Sequence, residues 1–130
     1  MRKSFYMLGA LLTMALLMSA IQASETLTKE NGTTIVNTKT IGKKVRGFKG
    51  LTPLRIHIKA DKIVKVEALP NQETPQYFEQ ARTLLKKYEG QPVKKALKMK
   101  VDAVTGATYS SEALKENVRV GLQYYKEHAK

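Results

Sequence analysis

The chain is 130 residues long and carries 23 Lys or Arg against 11 Asp or Glu, a formal net charge of +12. That length holds one domain around one core and leaves no room for a second. With no cysteine and only two histidines, it excludes disulfides, thiol nucleophiles, cysteine-bound iron–sulfur clusters, attached c-type haem and a dedicated histidine metal centre.

Arg2 and Lys3 precede a charge-free apolar run from Phe5 to Met18, and the small residues Ser19, Ala20, Ala23 and Ser24 follow. This is the layout of a secretory signal peptide, residues 1–23, cut after Ala23. The run is shorter than the roughly 20 apolar residues of a spanning helix, so an uncleaved anchor is the lesser reading. No cysteine follows it, which excludes a lipoprotein anchor. Cleavage removes Arg2 and Lys3 and no acidic group, taking the charge from +12 to +10 and leaving about 107 residues. Export argues against the nucleic-acid role that so basic a chain would otherwise suggest. The lysines are spread from Lys29 to Lys130, so a solvated surface is the plain reading. Anionic lipid head groups or an acidic redox partner are the alternatives.

Residues 24–41 read as a polar N-terminal segment with a first strand, and residues 42–130 as the main domain. Within the first part, 24–31 is polar and expected to fray, and the β-branched run Thr33 to Thr38 predicts a strand. Gly42, Gly47 and Gly50 punctuate a basic stretch, Lys43 to Gly50, that reads as strand plus turn. Leu54, Ile56 and Ile58 alternate with Arg55, His57 and Lys59. After the turn Ala60-Asp61-Lys62, residues 63–69 continue as the partner, giving an antiparallel hairpin over 53–69 with His57 on its wet face. Thr74 as N-cap and Pro75 at the first helical position open a helix. Phe78, Ala81, Leu84 or Leu85, and Tyr88 recur along it, and Gly90 stops it. Val93 to Val101, where Lys94, Lys95, Lys98 and Lys100 surround Ala96, Leu97, Met99 and Val101, is ambiguous, with a short strand ending in Val101-Asp102 the favoured reading. Ser110 or Ser111 caps a final helix whose apolar face is Leu114, Val118, Leu122 and Tyr125. The fold class is α+β: a single small domain, an antiparallel sheet with a hairpin packed against two helices.

Between the last two elements lies Asp102-Ala103-Val104-Thr105-Gly106-Ala107-Thr108-Tyr109-Ser110-Ser111. Gly106 admits a backbone conformation closed to residues with a Cβ and leaves room beside it, and Ala107 adds almost no bulk. Thr108 offers a hydroxyl at the head of a helix, where free N–H groups and the positive dipole end suit a phosphate. Asp102 is placed to hold the turn shut through backbone N–H groups, and Ser110 and Ser111 to donate to phosphate oxygens. A bare Gly-Ala-Thr before a serine-capped helix is a common structural turn. The full spacing, followed by serines and an amphipathic helix, is much more demanding.

This stretch resembles the flavin attachment signature Asp-x-x-Ser/Thr-Gly-Ala-Thr of the FMN-binding domain family. Gly47-Phe48-Lys49-Gly50, the 53–69 hairpin and Glu73-Thr74-Pro75 follow the family's order of glycine-punctuated strand, hairpin and Glu-Thr-Pro-Gly loop. The resemblance therefore covers about residues 42–125. Gln76 departs from it, standing where glycine is usual. The resemblance implies FMN joined to Thr108 through a phosphoester bond. Threonine is too weak a nucleophile to react unaided, and in the family a separate flavin transferase moves FMN from FAD with a divalent metal. It further implies cofactor contacts from Asp102, Thr105, Gly106, Ala107, Tyr109, Ser110, Ser111, Glu73 and Thr74. Lys49 would set positive charge near the N1–C2 edge of the ring. Phe48, Tyr77, Phe78 and Tyr109 are the aromatics able to stack on it, with Phe78 more fitted to the core and Tyr109 favoured. The implied function is an exported electron carrier rather than a self-sufficient oxidoreductase. It would sit in the periplasm or outside the cytoplasm, with peripheral membrane association allowed for. Electrons would pass between a membrane or periplasmic donor and an acceptor. A non-covalent FMN-binding sensor or scavenger, and a secreted basic interaction protein without flavin, are the rival readings.

Overall fold

Two tight turns and one alternating apolar face organise the sheet. The computed structural model describes residues 26–129, so the signal segment and its cleavage after Ala23 lie outside the described residues. Strands β1 (Leu27–Glu30), β2 (Thr33–Asn37), β3 (Leu54–Lys59) and β4 (Lys62–Ala68) form an antiparallel sheet in that order. The β1–β2 turn is Asn31-Gly32 and the β3–β4 turn is Ala60-Asp61, all four residues with positive φ. That is the two-residue turn whose twist matches a hairpin. The stretch expected to fray is thus an edge strand, held by Asn31-Gly32 and paired from Leu27 opposite Val36 to Glu30 opposite Thr33.

The 53–69 hairpin forms as expected, with a register shift between His57 and Ile58. Its outer face is paired rather than bare. His57 Nε2 lies 2.7 Å from Glu67 Oε1, and Arg55 stands 3.7 Å from the same oxygen. His57 is mostly covered by this pairing, not solvated. Its hydrogen bond, helped by Lys65 and Arg55, holds the Glu67 carboxyl below the usual carboxylate range against a smaller opposing effect of burial.

Val36, Leu54, Ile56, Ile58, Ile63 and Val66 bury the inner face of the sheet. Helix α1 (Pro75–Ala81) starts at Pro75 with Thr74 before it, and the chain tightens into a 3-10 helix (Arg82–Tyr88) ahead of Gly90. These elements supply Phe78, Ala81, Leu84, Leu85 and Tyr88 to the core. The long helix at the C-terminal end, residues 108–128, adds Leu114, Val118 and Leu122. It lies so close to the sheet that a Cβ at Gly121 would approach Ile56 Cδ1 to 2.6 Å.

Two expected strands are absent. Residues 93–101 carry the short helix α2 (Val93–Ala96), which buries Val93 and Ala96. A strand is the favoured reading of these residues, but Val93, Ala96 and Leu97 follow helical spacing and Pro92 opens the turn. The basic stretch is a loop with a single bridge, Arg46 to Leu51. Gly47 N–H donates to the Gly50 carbonyl at 2.8 Å, closing a turn too tight for a ladder. Asn117 of the long helix braces this region by donating from Nδ2 to the Thr52 carbonyl and hydroxyl, at 2.8 and 2.9 Å.

Candidate functional site

Three segments distant in sequence meet on one buried carboxylate. Asn71 Oδ1 accepts the Glu73 N–H at 3.0 Å, turning the Glu73 side chain inward just before α1. Glu73 is only 6% exposed. Its Oε1 accepts the Phe48 N–H at 2.6 Å and the Ser110 hydroxyl at 3.0 Å, and its Oε2 accepts the Lys49 N–H at 2.5 Å. A carboxylate removed from water needs such donors, and bonds to an ionised acceptor are the strong kind. Gly47 makes the approach possible, because a Cβ there would collide with Glu73 Oε1.

Helix α3 (Thr108–His128) begins three or four residues earlier than a cap at Ser110 or Ser111 would place it. Ala107 is its N-cap and gives no side-chain cap, while Gly106 turns the chain with φ +84. Ser110 and Ser111 sit buried inside the first turn. Ser110 is committed to Glu73, and Ser111 Oγ accepts the Val104 N–H at 3.0 Å. With the Ala107 N–H on the Val104 carbonyl at 2.9 Å, that bond closes the motif loop. Asp102 was expected to close it; instead its side chain is exposed and forms no bond among the described residues. The N–H groups of Thr108, Tyr109 and Ser110 head a 21-residue helix without intrahelical acceptors.

The tethered segments enclose a cleft of about 280 Å³. Phe48, Tyr77 and Tyr109 form its rim, and Thr74, Gly106, Ala107, Thr108 and Ser110 complete the wall. Three of the four large exposed hydrophobics among the described residues are those rim aromatics, with Tyr109 at 70%, Phe48 at 68% and Tyr77 at 47% exposure. The Phe48 and Tyr109 rings lie 5.8 Å apart and tilted by 42°. Thr108 is exposed as the first residue of α3.

The remaining candidates divide cleanly. Thr105 and Lys49 are exposed outside the cleft wall, and Lys49 reaches the site only through its backbone N–H. Glu73 lies beneath the cleft as a tether, a role that sequence reading missed by treating it as a cofactor contact. Phe78 is in the core. Gln76 is exposed in the first turn of α1 and does not line the cleft, so the departure from glycine puts nothing into it.

The structure is thus an α+β domain with an open aromatic cleft at the head of a long helix. The family model of the FMN-binding domain matches residues 47–123, from the loop glycine into the last turns of α3. The match spans more than half of the chain, and the chain belongs to the FMN-binding domain family. No curated protein and no solved structure matches it. Membership makes it a flavin-carrying electron-transfer protein with FMN as its cofactor. The site fits that group: aromatic faces for a planar ring, and a helix N-terminus with an exposed hydroxyl for the phosphate end. The cleft's volume of about 280 Å³ lies just under the roughly 300–1,000 Å³ usual for ligand pockets.

Proposed function

We propose that the protein is an exported single-domain carrier holding FMN covalently on Thr108. The observation that carries this reading is the exposed Thr108 hydroxyl at the N-terminus of α3, on the wall of the aromatic cleft. Attachment is a phosphoryl transfer. Thr108 Oγ1 bonds to the flavin-side phosphorus of FAD, the bond to the adenylate oxygen breaks, AMP leaves, and the hydroxyl proton passes to a base on the transferase. When bound, FMN supplies reversible electron acceptance and donation. The chain's own residues hold it: Thr108 by the bond, the leading N–H groups of α3 by their dipole, and Phe48, Tyr77 and Tyr109 by covering the ring. Glu73 keeps the three segments in register.

The signal-peptide layout of residues 1–23 supports export. Covalent attachment suits that setting, since a dissociable cofactor would be lost by diffusion outside the cytoplasm. A flavin transferase and membrane or periplasmic electron-transfer proteins are the partners. The test is intact mass of the protein co-expressed with a flavin transferase. One FMN residue is expected on the chain, yellow colour is expected to survive denaturation, and Thr108→Ala is expected to abolish both. Yellow native protein with an unchanged mass would instead establish reversible binding, and no flavin under any condition would defeat the carrier reading.

A further inference from the structure

The rim of the cleft continues into an unneutralised cationic loop. Lys43, Lys44, Arg46 and Lys49 are all exposed, and none has an ion-pair partner among the described residues. Phe48 lies between the last two and presents its ring at the cleft mouth against Tyr109. Lys43, Lys44 and Arg46 line an open groove beside residues 112–120 of α3, which begin about one turn past Thr108. The acids facing that groove are Glu112 and Glu116. Each is engaged along its own helix, Glu112 with Lys115 at 3.2 Å and Glu116 with Arg119. Glu73, the carboxylate nearest the loop backbone, is buried and bonded to N–H and hydroxyl donors. Among the described residues no acid forms an ion pair with the loop cations.

We infer that this loop and the aromatic rim form the docking surface for an acidic redox protein, which exchanges electrons at the cleft. Exposed aromatic rings flanked by a loop of like charge have the anatomy of a transient interface: an apolar area for contact and a charged border on one side that steers encounter. A protein with a carboxylate-rich face is the occupant because the site offers cations and apolar rings together. The electron exchange rests on the carrier reading above; the docking does not.

A plant-type [2Fe–2S] ferredoxin, an acidic electron carrier, serves as the probe for the full chain loaded with FMN. Amide signals of residues 43–50 and of Tyr109 are expected to shift on titration with oxidised ferredoxin. Reduction of the flavin by reduced ferredoxin is expected to slow about tenfold or more between about 20 and 200 mM salt. Lys43→Glu, Lys44→Glu and Arg46→Glu together should lower the low-salt rate about tenfold or more, with FMN content and melting unchanged. The control reverses Lys94, Lys95 and Lys126, all exposed and unpaired among the described residues. Lys94 and Lys126 share a groove with Tyr125, about 24 Å along α3 from Tyr109. This triple makes the same change in net charge and should leave the rate within about twofold. Equal loss from both triples would assign the effect to overall charge and overturn the docking surface. So would a loop triple that abolishes flotation with phosphatidylserine vesicles and leaves the ferredoxin rate intact. Shifts on a chain without FMN support the docking even if the flavin assignment fails. A loaded chain without shifts ends the docking proposal and leaves the flavin assignment standing.

Discussion

Glu73 is the residue on which the site depends, although it lines no part of the cleft. It bonds to Phe48 and Ser110, 25 and 37 positions away in the chain. Replacing it by Gln keeps the shape but turns one acceptor into an NH₂ group facing donors. A buried donor left unpaired costs about 1–3 kcal/mol, so Glu73→Gln should lower the melting temperature by roughly 4–8 °C per kcal/mol lost. The more specific readout is amide exchange. Phe48 and Lys49 should exchange faster in the variant, and unchanged protection there would remove Glu73 from this role. Sequence reading located Glu73 and misjudged its work because hydrogen bonds at such separation have no local signature. The serines misled for the same reason. Their hydroxyls, typical of caps, are consumed by Glu73 and by Val104, which leaves Thr108 to head the helix.

Among the elements, the hairpin was legible because Leu54, Ile56 and Ile58 alternate and Ala60-Asp61 can turn. Strand β1 was overlooked because Leu27–Glu30 has exposed residues at three of four positions and its evidence lies in Asn31-Gly32. Two tyrosines bind elements together and carry a pH dependence. Burial first, then the Glu112 carboxylate, pushes Tyr88 of the 3-10 helix up to about 12. Burial first, then its 2.6 Å hydrogen bond to Asp61 in the β3–β4 turn, pushes Tyr125 of α3 up to about 12. A raised pKa means that the fold favours the protonated form. This stability is therefore whole below the ordinary tyrosine pKa of about 10 and is lost as pH rises through 12. Tyr88, 4% exposed, should account for about 2–3 kcal/mol by linkage; Tyr125 contributes less, being reached by water. Denaturant midpoints measured at successive pH values from 9 to 12 should fall over that window, and Tyr88→Phe should flatten the fall. A flat profile for the parent chain would refute the linkage.

At the scale of the whole molecule, the sheet and the body of α3 form a rigid support, and the chemistry is confined to one end. The family match begins at Gly47 and leaves β1 and β2 outside it, yet both strands belong to the same sheet. The exposed rim has a colloidal consequence. Without its cofactor the chain presents Phe48, Tyr77 and Tyr109 as bare apolar surface, the kind that makes copies adhere. Lys43, Lys44, Arg46 and Lys49 set like charge on the loop that carries Phe48, and copies approaching through that side repel one another. Salt weakens this repulsion, with a screening length of about 10 Å at 0.1 M. Sedimentation of the unloaded chain should therefore show monomers at low salt and self-association as salt rises, and less self-association in the loaded chain, whose flavin covers the inner faces of these rings and leaves their outer edges exposed. Monomers at every salt concentration would show that the aromatics do not adhere. The cations of the loop beside the cleft would thus keep copies apart whenever the flavin is absent and the inner faces of the rim aromatics are bare.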